Sequence, residues 1–144
     1  AYSSEGCEQY GANGLVFNTA WAGDKIAESL KRDVQYKFHP IACDTVKAVF
    51  DHELGHKIDA LLGLRKDAEF LKIFREAVVH GEQYIIDNLS HYAYDSRLMR
   101  KSNYTPEAEF IAEAWSEYLN NPQAREIATA VGKLIEKKCG ELKR

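Results

Sequence analysis

Of 144 residues only three are cysteine, three are proline and one is methionine. Cys7, Cys43 and Cys139 are too few and too scattered for a disulfide framework, and none forms the CxxC pair of a cysteine zinc knuckle. Three reduced thiols and one bridge with a free thiol both stay open. A basic excess is missing as well: 19 Lys+Arg stand against 22 Asp+Glu, a net charge of -3. The electrostatic footprint of a nucleic-acid binder is therefore absent. The only basic cluster, from Lys137 to Arg144, is short, broken by acids and reads as a solvated helix end. No apolar run approaches the roughly 20 residues of a membrane span, which excludes a transmembrane helix. Ala1-Tyr2-Ser3-Ser4-Glu5 has neither the basic nor the apolar region of a signal peptide. With no initiator Met, the chain reads as a processed protein or as part of a longer one. Repeats and low-complexity tracts are lacking too. The composition present is ordinary for a globular protein, 45% hydrophobic and 28% charged, and the length suits one domain over residues 1–144.

Punctuation and periodicity outline that domain. Gly14 to Asn18 reads as a short strand and Tyr36-Lys37-Phe38 as a second. Helices are expected over 24–35, 44–62, 67–80 and 81–89, from apolar recurrence and from Asp24 and Gly63 as cap and stop. The polar, tyrosine-bearing stretch 90–103 is expected to be a loop. Thr105-Pro106-Glu107 opens a further helix to about Leu119, with a capping hydroxyl, Pro at the first position and an acid in the first turn. Asn121-Pro122 repeats the signal and opens the last, to about Gly140. The expected fold is α+β and mostly helical: a small front sheet, an active-site helix and a helical C-terminal part.

The chemistry lies in the second helix, at His52-Glu53-Leu54-Gly55-His56. Histidines at i and i+4 project from one helix face, about 6 Å apart along the axis, so their imidazoles converge on one ion. Zinc is the natural occupant, since it accepts neutral nitrogen ligands tetrahedrally. Glu53, rotated by about 100° from His52, flanks the ion and is placed to act as a base. The apolar residues Val49, Phe50, Leu54 and Ile58 are expected to bury the flank of the motif.

A catalytic zinc needs a third protein ligand and an open position. The extended motif with Gly and His after the second histidine fails, because Asp59 and Leu62 stand there. A carboxylate from a later helix is offered by Glu107-Ala108-Glu109-Phe110-Ile111-Ala112-Glu113-Ala114-Trp115. Glu109 and Glu113 share a face. Glu109 can reach the metal, while Glu113, one turn deeper, can accept a hydrogen bond from a ligating imidazole and fix its tautomer. His39, His80 and His91 are isolated and read as structural or surface histidines.

Asp51 to Asp59 followed by Glu107 to Trp115 resembles the catalytic domain of anthrax lethal factor and its relatives. These include secreted Pro-Pro endopeptidases and the lethal-factor-like domains of phage head and minor capsid proteins. The resemblance covers about Phe38 to the C-terminus. It implies a compact zincin with His52, His56 and Glu109 as zinc ligands, Glu53 as the catalytic base and Glu113 as support for an imidazole. Asp59 also matches a family Asp, with a surface acid as the alternative. The family's oxyanion-stabilising tyrosine is matched by Tyr92 in Asn88-Leu89-Ser90-His91-Tyr92-Ala93. Tyr92 lies farther from Glu109 than the family spacing, so Tyr94 and Tyr104 compete for the role. The segment between Tyr92 and Thr105 then reads as a mobile flap.

The expected function is zinc-dependent hydrolysis of peptide bonds in a peptide or protein substrate, with no nucleic-acid or membrane partner. The alternative is a catalytically weak binding or structural domain of a phage particle or toxin. A cytoplasmic, phage-associated or secreted location is left open.

Overall fold

The structure, a computed structural model, describes residues 24–142. Among them the chain is all helical. Six helices run in order: α1 Asp24–Gln35, α2 Val46–Leu62, α3 Ala68–Val79, α4 Glu82–Asn88, α5 Pro106–Asn120 and α6 Glu126–Leu142, with a 3-10 turn at Leu64–Lys66 between α2 and α3. The expected strand at 14–18 lies outside the described residues. The expected strand at 36–38 is a turn, so the α+β architecture with a small sheet is replaced by an all-α one. The reason is local. Lys37 adopts φ +60°, and its N–H bonds the Val34 carbonyl at 3.0 Å while the Phe38 N–H bonds Asp33 at 2.8 Å. That pair of bonds closes α1 as a Schellman motif, with lysine in the position usually taken by glycine. The carbonyls of Lys37 and Phe38 then accept from the N–H groups of His91 and Tyr92, at 2.7 and 3.3 Å. The turn is thus stitched to the segment after α4 without forming a ladder.

The other boundaries follow their caps. Thr45 accepts from the Ala48 N–H at the start of α2, and Gly63 ends it with φ +64°. Asp67 accepts from the N–H groups of Glu69 and Phe70 and starts α3. Thr105 precedes Pro106 as expected, but its hydroxyl makes no capping bond. The last helix starts at Glu126, later than Asn121-Pro122 suggested. The Asn121 side chain accepts from the Gln123 N–H in a local turn, and the Arg125 N–H is held by Glu117 at 3.0 Å.

Two layers of packing meet on α5. On one side α3, α4 and α6 enclose an apolar core around Phe70, Phe74, Ile85, Phe110, Ile111 and Val131. Phe110 stands edge-on to Phe74 with centroids 5.2 Å apart. Each such ring, fully buried, contributes about 1.5–3 kcal/mol. On the other side α2 crosses α5. The buried line of α2 is Ala48, Asp51, Gly55 and Asp59, whereas Val46, Phe50 and Leu61 are exposed. Of the expected apolar stripe, Val49, Leu54 and Ile58 are half-buried and Phe50 is exposed, so the fully buried line is the small and polar one. A Cβ on Gly55 would lie 2.8 Å from the Ala112 Cα, so glycine is what allows α5 to approach this closely. Asp59 is not a surface acid. It is fully buried and accepts from the Arg65 N–H at 2.9 Å and from its Nε at 2.7 Å, fixing the corner after α2.

Candidate metal centre

The crossing at Gly55 sets the two chemical motifs face to face. His52 and His56 lie one turn apart on α2, and Glu109 and Glu113 lie one turn apart on α5. His52 Nε2 and His56 Nε2 are 3.1 Å apart, and Glu109 Oε2 is 3.4 Å from the first and 3.5 Å from the second. Ligand bonds of about 2.0–2.1 Å at tetrahedral angles give edges of about 3.3 Å, so the triangle has the size of one face of a tetrahedral nitrogen and oxygen site. Among the described residues these three form the only such cluster of histidine, cysteine or carboxylate groups. Glu109 Oε2 is buried and accepts no hydrogen bond.

Glu113 stands behind His52. Its Oε1 is 2.9 Å from His52 Nδ1, in a contact bent away from a straight N–H···O line. The same oxygen lies 3.0 Å from His39 Nδ1, and Oε2 accepts from the Ser90 hydroxyl at 2.8 Å. A proton held at Nδ1 of His52 leaves the Nε2 lone pair facing the triangle, which is the tautomer a metal needs. Burial alone would raise Glu113, but the imidazoles of His39 and His52 overcome it and hold the carboxyl well below its usual range. Burial would lower His52, yet Glu109 and Glu113 reverse this and push it up to about 10 in the metal-free protein. A metal at Nε2 would have to displace that proton, so metal uptake is linked to proton release.

His39 and Ser90 are the site residues that the sequence did not reveal. His39 was read as isolated, and it is isolated along the chain. The turn after α1 carries it to Glu113 and places its ring 6.2 Å from that of His52. Ser90 sits inside the segment quoted for Tyr92, and that Ser-His-Tyr run is the only sequence signal that marks it.

The three candidate tyrosines separate cleanly. The ring of Tyr92 is 6.4 Å from that of His52 and 6.0 Å from that of His39. Burial and the carboxylates of Glu109, Glu113 and Glu53 all raise its hydroxyl above the ordinary value, which keeps it a donor at neutral pH. Tyr94 turns inward and packs against Phe74 at 6.1 Å. The Tyr104 hydroxyl donates to the Tyr92 carbonyl at 3.1 Å and accepts from the Asp95 N–H at 2.9 Å. The segment expected to be a mobile flap is a succession of closed turns, pinned by that hydroxyl and by Arg97 on Asp95 at 2.7 Å.

Glu53 lines a cavity of about 240 Å³ together with His39, Cys43, His52, Tyr92 and Glu113. It therefore opens onto the same space as Tyr92. Burial pushes the Cys43 thiol up to about 12, which leaves it a poor nucleophile. Comparison with family models, with curated proteins and with solved structures finds no match for the chain.

Proposed function

We propose that the chain is a zinc-dependent metalloendopeptidase in which His52, His56 and Glu109 hold the metal. The observation that carries this reading is Glu109 Oε2, buried without a hydrogen-bond donor and facing two imidazole nitrogens at 3.4 and 3.5 Å. An acceptor stranded in that way costs about 1–3 kcal/mol, and a cation shared with the two imidazoles removes the cost. The donor set, two imidazoles and a carboxylate with room for a further ligand, suits zinc in its catalytic form. Zinc there would supply Lewis-acid polarisation of the scissile carbonyl and a water acidic enough to ionise near neutral pH.

The chain's own residues would do the rest. Glu113, braced by His39 and Ser90, orients His52. Glu53 takes the proton of the attacking water and delivers it to the departing amine. The Tyr92 hydroxyl donates a hydrogen bond to the oxyanion that develops on the carbonyl. The substrate is a peptide or protein chain.

The test is zinc content and hydrolysis measured on the same preparations. About one zinc per chain is expected, with cleavage of a quenched fluorescent peptide library that chelator abolishes. Glu53→Gln should keep its zinc and lose turnover by about 10² to 10⁴. A variant that lost its metal would make Glu53 a ligand. Bound zinc without turnover in the native chain would favour a binding module in place of an enzyme.

A further inference from the structure

Beside the triangle lies a second cavity of about 200 Å³ lined by His56, Lys57, Arg65, Asn103, Thr105 and Glu109. Its walls are polar where those of the first cavity include Leu30, Pro40, Ala48 and Val49. Arg65 is held from behind. Its backbone N–H and its Nε both bond the buried carboxylate of Asp59. No described residue bonds its two terminal nitrogens. Lys57 makes no ion pair among the described residues, and the Thr105 hydroxyl makes no capping bond. These donors therefore border the cavity unpaired among the described residues. Of the acids beside it, Asp59 is bonded by Arg65, and Glu109 faces the two imidazoles across the proposed metal site.

We propose that this cavity is a substrate subsite for a carboxylate, so that the protein selects peptides bearing an acidic group next to the bond to be cut. The proposal rests on the peptidase reading, since the cavity shares His56 and Glu109 with the metal triangle. A guanidinium whose Nε is anchored keeps its outer edge as a directed donor pair, and a carboxylate is the planar acceptor that matches it. Lys57 adds a positively charged side chain to the lining. Asp59 has then a second consequence, since it aims Arg65 without occupying its outer nitrogens. The acidic group is either an Asp or Glu side chain or the C-terminal carboxylate of a short peptide, and both present the same chemistry.

The experiment compares zinc-loaded native protein with Lys57→Glu and Arg65→Gln, using matched peptides that carry Glu or Gln at each position flanking the cleaved bond. Each peptide is made with a free and with an amidated C-terminus. In the native protein one position should favour the acid over its amide about tenfold in kcat/KM, and Lys57→Glu should reduce that ratio to one or below. A preference that survives amidation identifies a side chain, and one that vanishes identifies the C-terminus; either supports the subsite. Arg65→Gln strands Asp59, so Lys57→Glu is the decisive variant should Arg65→Gln not fold. Binding is read separately by fluorescence anisotropy on zinc-loaded Glu53→Gln with the same peptides. Acid-selective binding that depends on Lys57, in a protein that cleaves nothing, keeps the subsite and sinks the peptidase. Cleavage with equal rates for acid and amide at every position, or a preference unchanged in Lys57→Glu, overturns the subsite and leaves the peptidase standing.

Discussion

Two glutamates one helical turn apart on α5, Glu113 and Glu117, are both fully buried, yet they are held in opposite ways. Glu117 is gripped by Arg125, whose Nε and Nη2 reach it at 2.9 and 2.7 Å while its guanidinium also donates to the carbonyls of Leu89 and Asp87. Glu113 is held by two imidazoles and a hydroxyl. A guanidinium carries its charge across the accessible pH range, so the first arrangement has one state. Imidazoles exchange protons within that range, so the second can pass through several. One carboxylate knots α4, α5 and α6 together. The other is placed to fix the tautomer of His52, a ligand in the proposed metal site. Burial alone therefore does not tell a structural acid from a functional one; the titratability of its partners does.

The largest effect should come from cutting the first knot. Glu117→Ala leaves the Arg125 guanidinium uncompensated against α5, a loss of about 3–5 kcal/mol for a pair broken on one side. That is a large fraction of an ordinary domain's stability. Urea unfolding should show the shift in midpoint, and the fraction still folded should keep zinc and turnover. A variant as stable as the native chain would mean that the ion pair merely offsets its own desolvation.

Next comes Tyr92→Phe, which removes one hydroxyl beside His52. Loss of a single oxyanion donor lowers kcat by about 10² or more. Steady-state kinetics on metal-replete protein should show the fall in kcat with zinc content unchanged. Equal turnover in both proteins would assign the oxyanion to the metal or to another donor.

Glu113→Gln sharpens the comparison from the other side. Loss of the carboxylate behind a ligating histidine weakens metal affinity about 10- to 100-fold, which competition with a chromogenic chelator measures. It should also alter acid sensitivity in the metal-free protein. A carboxyl held below its unfolded value of 4.5 gives stability that is present above that value and is lost as pH falls through the folded value. His39 and His52, both raised above 6.5, give stability that is complete below 6.5 and is lost as pH rises through their folded values. Glu113→Gln should flatten both limbs of melting temperature against pH. Curves of unchanged shape would mean that the cluster is not coupled.

The sequence revealed what depends on short spacing and hid what depends on how helices meet. His52, Glu53 and His56 are legible because i, i+1 and i+4 fix their relative directions on any helix, and Glu109 with Glu113 repeats the rule. Helix ends were legible at Gly63 and Thr105-Pro106, whereas the same kind of start signal at Asn121-Pro122 came before the true start at Glu126. The stripe on α2 was right only in part: Val49, Leu54 and Ile58 are half-buried, but the fully buried line is small and polar. Gly55 and Ala48 let α5 come close enough that the small and polar side bears the contact, and Phe50 is left 44% exposed. The turn at 36–38 misled because three residues with aromatic ends satisfy a strand pattern as easily as a Schellman closure. His39 and Ser90 were invisible for a different reason: each gains meaning only from Glu113, 74 and 23 residues away.

The smallest effect should come from Tyr104, and it bears on which of two neighbouring tyrosines does chemistry. Tyr104 stands closer in sequence to Glu109, but its hydroxyl is already committed, donating to the Tyr92 carbonyl and accepting from the Asp95 N–H. Tyr104→Phe therefore removes one hydrogen bond to the Tyr92 carbonyl and one from the Asp95 N–H, at about 1 kcal/mol. For a domain of this size that lowers the melting temperature by about 2–4 °C. Turnover should change far less than in Tyr92→Phe, because the donor itself stays and only its tether is loosened. The loss should fall on both KM and kcat, as expected of a positioning contact, and not on kcat alone. Zinc content should not change. If Tyr104→Phe abolished kcat while melting temperature and zinc stayed native, the hydroxyl would have to leave the Tyr92 carbonyl during the reaction, and the roles of the two tyrosines would be exchanged.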